Sequence, residues 1–392
     1  RQMCIRDRKY RDMCGERVSV LGLGCMRLPT VKKDGENIID EQAFLEMADY
    51  SVKNGINYFD TAFGYHNGTS EIELGKVIKE LGIRDRIFIA DKLPPWNINA
   101  DGDVEKVFQT QLNKVQTDYF DFFLLHNMTK EFWDGKIADL DVLNHVKEFK
   151  KQGRIRHLGF SFHDDLETFK RIIDSSDGAF EFCQIQLNYA DAASNFQAGL
   201  EGLKYASDNG LSVVIMEPLK GGKLVVLPEH VSKILPEGRT IVENALDFLW
   251  DMKEISILLS GMGSMEQLKD NIKYASRSDV GMLSEDEKKR IMEAGDIFNQ
   301  GARVQCTGCR YCMPCPANID IPEIFKLYNE QALTYTWEDE PSKKYLDMEY
   351  KADACVKCRN CVSHCPQNFD IPKLLEEAGE SFCLLYTSDA AD

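Results

Sequence analysis

Two short runs of cysteine carry the clearest chemistry in this sequence. The first is Cys306-x2-Cys309-x2-Cys312-x2-Cys315-Pro316, and the second is Cys355-x2-Cys358-x2-Cys361-x3-Cys365-Pro366. They are halves of an internal repeat, continuing as CPANIDIP at 315–322 and CPQNFDIP at 365–372. Three thiolates at i, i+3 and i+6 in a tight loop can wrap three corners of an iron–sulfur cube, with a more distant cysteine on the fourth. Zinc sites usually draw four ligands from two separated CxxC pairs instead. Three cysteines within seven residues, twice, each run ending in Cys-Pro, therefore favour two [4Fe–4S] clusters over zinc. These eight belong to a total of thirteen cysteines. Without a secretory apolar segment at the N-terminus, such grouping reads as metal binding rather than disulfides.

The repeat resembles bacterial two-cluster ferredoxins, in which the fourth cysteine of one run ligates the other cluster. The resemblance implies one cluster on Cys306, Cys309, Cys312 and Cys365, and a second on Cys355, Cys358, Cys361 and Cys315. The first run has two residues before its last cysteine where the ferredoxin pattern has three.

A second constellation lies upstream. Asp60 closes the apolar run NYFDTA, Tyr65 lies five residues on in FGYH, Lys92 closes IFIADK and His126 closes YFDFFLLH. In a parallel barrel the C-terminal strand ends face one mouth, so these four side chains would converge. Each is titratable and open to tuning by its neighbours. Each alone also has an ordinary reading: a turn-capping aspartate, a loop aromatic, a surface lysine beside Pro94 and Pro95, a core histidine.

Residues 17–280 resemble the aldo/keto reductase family, through GINYFDTAFGY, the lysine of IADK, DYFDFFLLH, GRIRHLGFS, QIQLNY and GMGSMEQLKDN. The resemblance implies hydride exchange between NADPH or NADH and a small carbonyl or alcohol substrate. Tyr65 would donate a proton to the carbonyl oxygen, and Lys92 within ~4–6 Å would favour its phenolate. Asp60 would hold Lys92, and His126 would orient the carbonyl. Ser161, Gln184 and Asn188 would sit near the nicotinamide, with Pro218, Leu219, Gly221 and Gly222 beneath the phosphates. Gly261, Gly263, Ser264, Gln267 and Asn271 would form the last loop and helix start, where backbone N–H groups suit a phosphate. Many family members place Lys and Arg at the positions of Gly261 and Gln267 to grip the extra phosphate of NADPH, so the choice of nucleotide stays open. CTGCRYCMPCP resembles a prokaryotic subfamily of iron–sulfur aldo/keto reductase-like proteins.

The elements that must position these residues follow from periodicity. Strand candidates are 18–25, 57–62, 87–92, 119–126, 156–162, 182–188, 211–218 and 255–262, mostly continuous apolar runs suited to a parallel sheet covered on both faces. Amphipathic stretches lie between them. One runs from Asp40, an N-cap type, to Gly55; another sets Ile72, Val77, Ile78 and Leu81 on one face. Eight strand–helix units in about 260 residues predict a (β/α)8 TIM barrel. A doubly wound open sheet is the runner-up, but LGLGCM continues in no GxGxxG helix start. Residues 281–300 read as a charged linker helix, and 301–380 as a small α-helical ferredoxin-like iron–sulfur domain. Residues 1–16 read as a leader, and RQMCIRDR and CLLYTSDAAD as non-native ends without helix or strand pattern.

The chain has 392 residues, 47 Lys plus Arg and 64 Asp plus Glu, a net charge of −17. That balance argues against nucleic acid or an anionic membrane surface as partner. No apolar run approaches the ~20 residues that span a bilayer. A cytoplasmic location is the expectation. Cys25 and Cys183, inside strand candidates, read as buried apolar residues. His163 could line the pocket or cap a helix. The clusters could exchange electrons with a redox protein partner, or serve structure. A non-catalytic electron-transfer or redox-sensing protein, with the barrel as scaffold, is the alternative reading.

Overall fold

The computed structural model describes residues 9–33, 35–193, 197–301, 303–333 and 340–388, with backbone alone at 332–333, 340 and 383–388. Eight strands, Leu21–Gly24, Tyr58–Asp60, Phe88–Leu93, Phe120–Met128, Ile155–Phe162, Phe182–Gln186, Ser212–Met216 and Ile255–Ser260, close in sequence order into a parallel barrel. The closure uses the eight apolar runs that the sequence marks, and it excludes the open sheet.

Strand alternation decides what fills the barrel. Tyr58, Ala90, Phe122, Leu124, Phe182, Val214, Ile257 and Leu259 form one buried cluster inside it. Two residues further along four of those strands stand Asp60, Lys92, His126 and Gln184. The same parity that packs the interior therefore delivers polar groups to the C-terminal mouth. Gly159 has no room for a side chain, since a Cβ there would lie 2.5 Å from the Phe182 carbonyl oxygen.

The floor differs from the sequence expectation. Tyr10–Met13 pairs with Glu16–Ser19 as an antiparallel hairpin, and Met13 and Val18 join the interior cluster. The run VSVLGLGC thus divides between the hairpin and the first barrel strand. Arg11 anchors the hairpin by donating to the carbonyls of Met252 (2.9 Å), Ile255 (2.6 Å) and Trp250.

The surrounding helices begin and end on the expected signals. Asp40 accepts from the Ala43 N–H at 3.0 Å and caps Glu41–Lys53. Helix Ser70–Leu81 stops at Gly82 in the left-handed conformation. Its buried face is rotated from the expected one: Ile72 is 37% exposed while Glu71 is 0% exposed. Glu71, Leu74, Gly75 and Ile78 are spaced i, i+3, i+4, i+7, a helical stripe that includes a carboxylate.

The chain divides into two compact units. One runs to Pro218 and takes in Ala245–Ser284; the other comprises Leu219–Asn244 and Glu285 onward. In the second, helix Glu285–Gly301 is tied to the 219–244 segment by Arg290, which donates to the carbonyls of Ile234 (2.8 Å) and Leu235 (3.0 Å). Helices Ile321–Leu333 and Ile371–Ser388 each start directly after the aspartate of a DIP motif. Ile319, Ile324, Phe325, Ile371, Leu375 and Phe382 lie in their shared core. The repeat extends to its ion pairs: Arg310–Asp320 at 3.0 Å and Arg359–Asp370 at 3.1 Å. Residues 383–388, expected to lack helical pattern, continue the last helix, while 1–8 and 389–392 lie outside the described residues. No described helix is long and apolar enough to cross a membrane.

Candidate functional site

Asp60, Tyr65, Lys92 and His126 meet at the barrel mouth. The Lys92 ammonium donates to Asp60 Oδ1 at 2.6 Å, to the Thr61 carbonyl at 2.7 Å and to the Tyr65 hydroxyl at 3.4 Å. It lies 5.0 Å from the Tyr65 ring centroid. The His126 ring stands edge-on to Tyr65, with centroids 6.1 Å apart. All four side chains are buried.

Burial sets the protonation of this group. It pushes the Asp60 carboxyl above its ordinary value, with Lys92 pulling the other way. It holds His126 well below an ordinary histidine, and the positive charge of Lys92 adds to the effect. His126 is therefore a neutral imidazole at physiological pH. His163 lies close enough to influence it and is itself held down at about 4 by burial, although Gln197 hydrogen-bonds to it. Asp165, not His163, caps the helix that follows. Of its two expected readings, the helix cap is thereby excluded.

The positions assigned to the nucleotide separate into three groups. Ser161 and Gln184 are buried cross-strand partners at the mouth, placing a hydroxyl and a carboxamide side by side. The Asn188 amide instead holds its own loop: Nδ2 donates to Asp191 (2.8 Å) and the Glu217 carbonyl (3.0 Å), and Oδ1 accepts from the Ala190 and Asp191 N–H groups (3.0 Å each). Gly261, Gly263, Ser264 and Gln267 are exposed at the start of helix Met265–Arg277. There Ser264 accepts from the Gln267 N–H at 3.3 Å and Gln267 accepts from the Gly263 N–H at 2.8 Å, so Gln267 serves the helix cap. Asn271 is buried and donates to Ser260 Oγ at 3.1 Å. Pro218 ends the first stretch of the barrel unit, while Leu219 and Gly221 fall in the other unit. In that unit the Gly222 N–H closes a turn onto the Leu219 carbonyl at 2.9 Å, with Gly221 at φ +66°.

Sequence reading passes over Arg27, Asp91 and Glu71 here, and marks Trp96 only as part of the loop that shapes the substrate site. Arg27 packs its stem where Gly261 has no side chain, a Cβ at 261 falling 3.0 Å from Arg27 Cβ. Trp96 stands 5.1 Å from the His126 ring. Asp91 and Glu71 are buried carboxylates behind Lys92. Nothing in local spacing marks these three contacts.

The eight clustered cysteines are all free of disulfides. Cys312 has Cys309, Cys306 and Cys365 as neighbouring thiols, and Cys361 has Cys355, Cys315 and Cys358. A small hollow is lined by Cys312, Cys315, Cys355, Cys358 and Cys361 among others. The backbone N–H groups of Phe369 and Gln367 lie near the Cys365 sulfur, and the Asn368 N–H donates to the Cys365 carbonyl at 3.1 Å. Such a nest suits the negative charge of a thiolate-bound cluster. Among the described residues no three His, Cys, Asp or Glu are arranged to hold a single metal ion.

Known proteins bear on the same features. Residues 20–295 match the sequence model of the Aldo/keto reductase family, and 305–369 match that of a 4Fe-4S dicluster domain. The chain belongs to the aldo/keto reductase family. It is 26% identical over 279 residues to the L-galactose dehydrogenase of Arabidopsis thaliana, covering 66% of this chain and 84% of that protein. An uncharacterized oxidoreductase of Bacillus subtilis is 25% identical, over 70% of this chain and 92% of its own. The holo form of an aldo-keto reductase from Bacillus halodurans superimposes with a TM-score of 0.61 at 26% identity, covering 73% of this chain and 96% of that one.

Proposed function

We propose that the barrel is an NADPH- or NADH-dependent oxidoreductase site for a small carbonyl or alcohol, and that the C-terminal cysteines hold two [4Fe–4S] clusters that exchange electrons with a redox protein partner. The observation that carries the barrel reading is the Lys92 ammonium shared between Asp60 at 2.6 Å and the Tyr65 hydroxyl at 3.4 Å. Ser161 and Gln184 fit the amide of a nicotinamide, being a donor–acceptor pair side by side at the mouth. When bound, the nicotinamide supplies or accepts the hydride.

The chain's own residues supply the rest. Tyr65 gives the proton of its hydroxyl to the carbonyl oxygen. Lys92 stabilises the negative charge left on the Tyr65 oxygen, and Asp60 keeps the ammonium from drifting away. Neutral His126 can donate a hydrogen bond to the carbonyl without adding a second cation beside Lys92. General acid help of this kind is worth about 10²–10⁴-fold. Cys306, Cys309, Cys312 and Cys365 would hold one cluster, and Cys315, Cys355, Cys358 and Cys361 the other; such clusters carry single electrons.

The test is anaerobic purification of the full chain, iron and sulfide analysis, and titration with NADPH and NADH in the presence of an aldehyde. The expected result is iron–sulfur absorbance, binding of at least one nucleotide and aldehyde reduction. A chain that binds neither nucleotide would leave the barrel a scaffold, and a colourless zinc protein would overturn the cluster reading.

A further inference from the structure

We propose that Asp91 is held as a neutral carboxylic acid, its proton shared with Glu71, and that it is a positioning residue for Lys92. Asp91 and Lys92 are neighbours on one strand, so they face opposite sides of it. Lys92 points into the barrel, and Asp91 points out against the helices.

Both carboxyl groups are fully buried. Asp91 Oδ1 accepts from the Lys92 backbone N–H at 2.8 Å, and Glu71 Oε2 accepts from Lys114 Nζ at 2.8 Å. The other oxygen of each, Asp91 Oδ2 and Glu71 Oε1, is buried and has no donor among the described residues. The two carboxyl groups lie within interaction range of each other, and Glu71 adds to the burial that raises the Asp91 carboxyl. One proton between them satisfies both orphaned oxygens.

Charge balance points the same way. The network holds three buried carboxyl groups, Asp60, Asp91 and Glu71, and two ammonium groups, the buried Lys92 and the partly exposed Lys114. Lys92 is matched by Asp60 and Lys114 by Glu71, which leaves Asp91 without a cation. Two like charges in contact in a buried site cannot both persist. The other titratable groups facing this network are Tyr65 and His126 beside Lys92, Tyr58 beside Asp60, and Cys25 just after the first barrel strand, whose thiol burial keeps protonated.

The neutral form matters for the reaction proposed above, on which this positioning role rests. Neutral Asp91 fixes the backbone of Lys92 without weakening the positive potential that Lys92 projects onto the Tyr65 oxygen. An ionised Asp91 would add negative charge on the far side of the strand and make charge on that oxygen harder to form.

Asp91→Asn tests this in the full chain. The asparagine can still accept from the Lys92 N–H and can donate to Glu71 Oε1, as the neutral acid does. Turnover near pH 7 should stay within about threefold of the parent, and the alkaline decline of kcat/KM, which reports loss of the Tyr65 proton, should move to lower pH because no negative charge can form at position 91. Thermal unfolding, which needs no turnover, tests the proton alone: the Tm of Asp91→Asn should gain on the parent as pH rises. Glu71→Gln should do the reverse, ionising Asp91 and moving the alkaline decline to higher pH. A Tm difference that is flat with pH, or a pH profile unmoved in both variants, would overturn the shared proton. A Tm difference that grows with pH while the kinetic profiles stay put would overturn the positioning role. Parent protein without any turnover would strike at the reaction itself and leave the thermal result standing.

Discussion

Lys92 Nζ lies 2.6 Å from Asp60 Oδ1, with both side chains almost sealed from solvent at the barrel mouth. A buried pair of this kind is held by geometry more than by net energy, because desolvation of each ion offsets much of the attraction. Its consequence is directional: Lys92 cannot leave Tyr65 without abandoning its counter-charge.

Removing one partner should therefore be costly. Lys92→Met should destabilise the chain by about 3–5 kcal/mol near pH 8, since it strands a buried carboxylate. The cost should shrink on acidification. Burial raises the Asp60 carboxyl already, so the folded variant binds a proton that the unfolded chain does not, and stability is lost as pH rises through the folded value. Chemical unfolding at several pH values checks this; a pH-independent loss would contradict it.

Tyr65→Phe keeps the ring beside His126 and deletes only the proton donor. Carbonyl reduction should fall about 10²–10⁴-fold with Tm nearly unchanged. Steady-state kinetics with a simple aldehyde, alongside a melting curve, separates lost chemistry from lost fold. Full turnover in this variant would remove Tyr65 from the acid role.

His163 predicts an acid sensitivity. Its folded value is about 4, against an ordinary value of 6.5, because it is buried. Between those pH values the unfolded chain binds a proton that the folded chain refuses, so stability falls as pH drops through that window. The loss from this one group should be on the order of 3 kcal/mol by pH 4. His163→Asn should flatten that slope in urea unfolding; an unchanged slope would mean that the imidazole is protonated within the fold.

The grouping of thiols makes the clusters separable. Cys365→Ser should weaken the site of Cys306, Cys309 and Cys312, and Cys315→Ser the site of Cys355, Cys358 and Cys361. Each variant should lose about half of the iron, with the remaining cluster's spectrum preserved. If Cys365→Ser instead removed the cluster of its own run, Cys355 to Cys361, the crossed assignment would be wrong.

How much of this was readable in advance varies by kind of contact. The eight barrel strands were legible because parallel strands buried on both faces are apolar runs, and all eight were found where those runs occur. The floor hairpin was not, since Tyr10–Met13 and Glu16–Ser19 are too short and too polar for periodicity to separate them from a leader. On helix Ser70–Leu81 apolarity marks Ile72, which is exposed, and gives no sign of Glu71, which is buried. The carboxylate could occupy the buried stripe only because Lys114, from the next helix, reaches it.

The sequence by itself determined the class of machinery: paired cysteine runs with cluster spacing, and Asp60, Tyr65, Lys92 and His126 in order at strand ends. Both are local patterns, set by the length of a loop or the two-residue repeat of a strand. Only the tertiary structure decided which charges meet. Asp91 and Glu71 are twenty positions apart, and Arg27 and Gly261 stand at opposite ends of the barrel sequence. Such contacts depend on which helix lies over which strand and on barrel closure bringing the first strand beside the eighth. Burial then fixes protonation, because a carboxyl or imidazole removed from water keeps its charge only where a partner stands beside it.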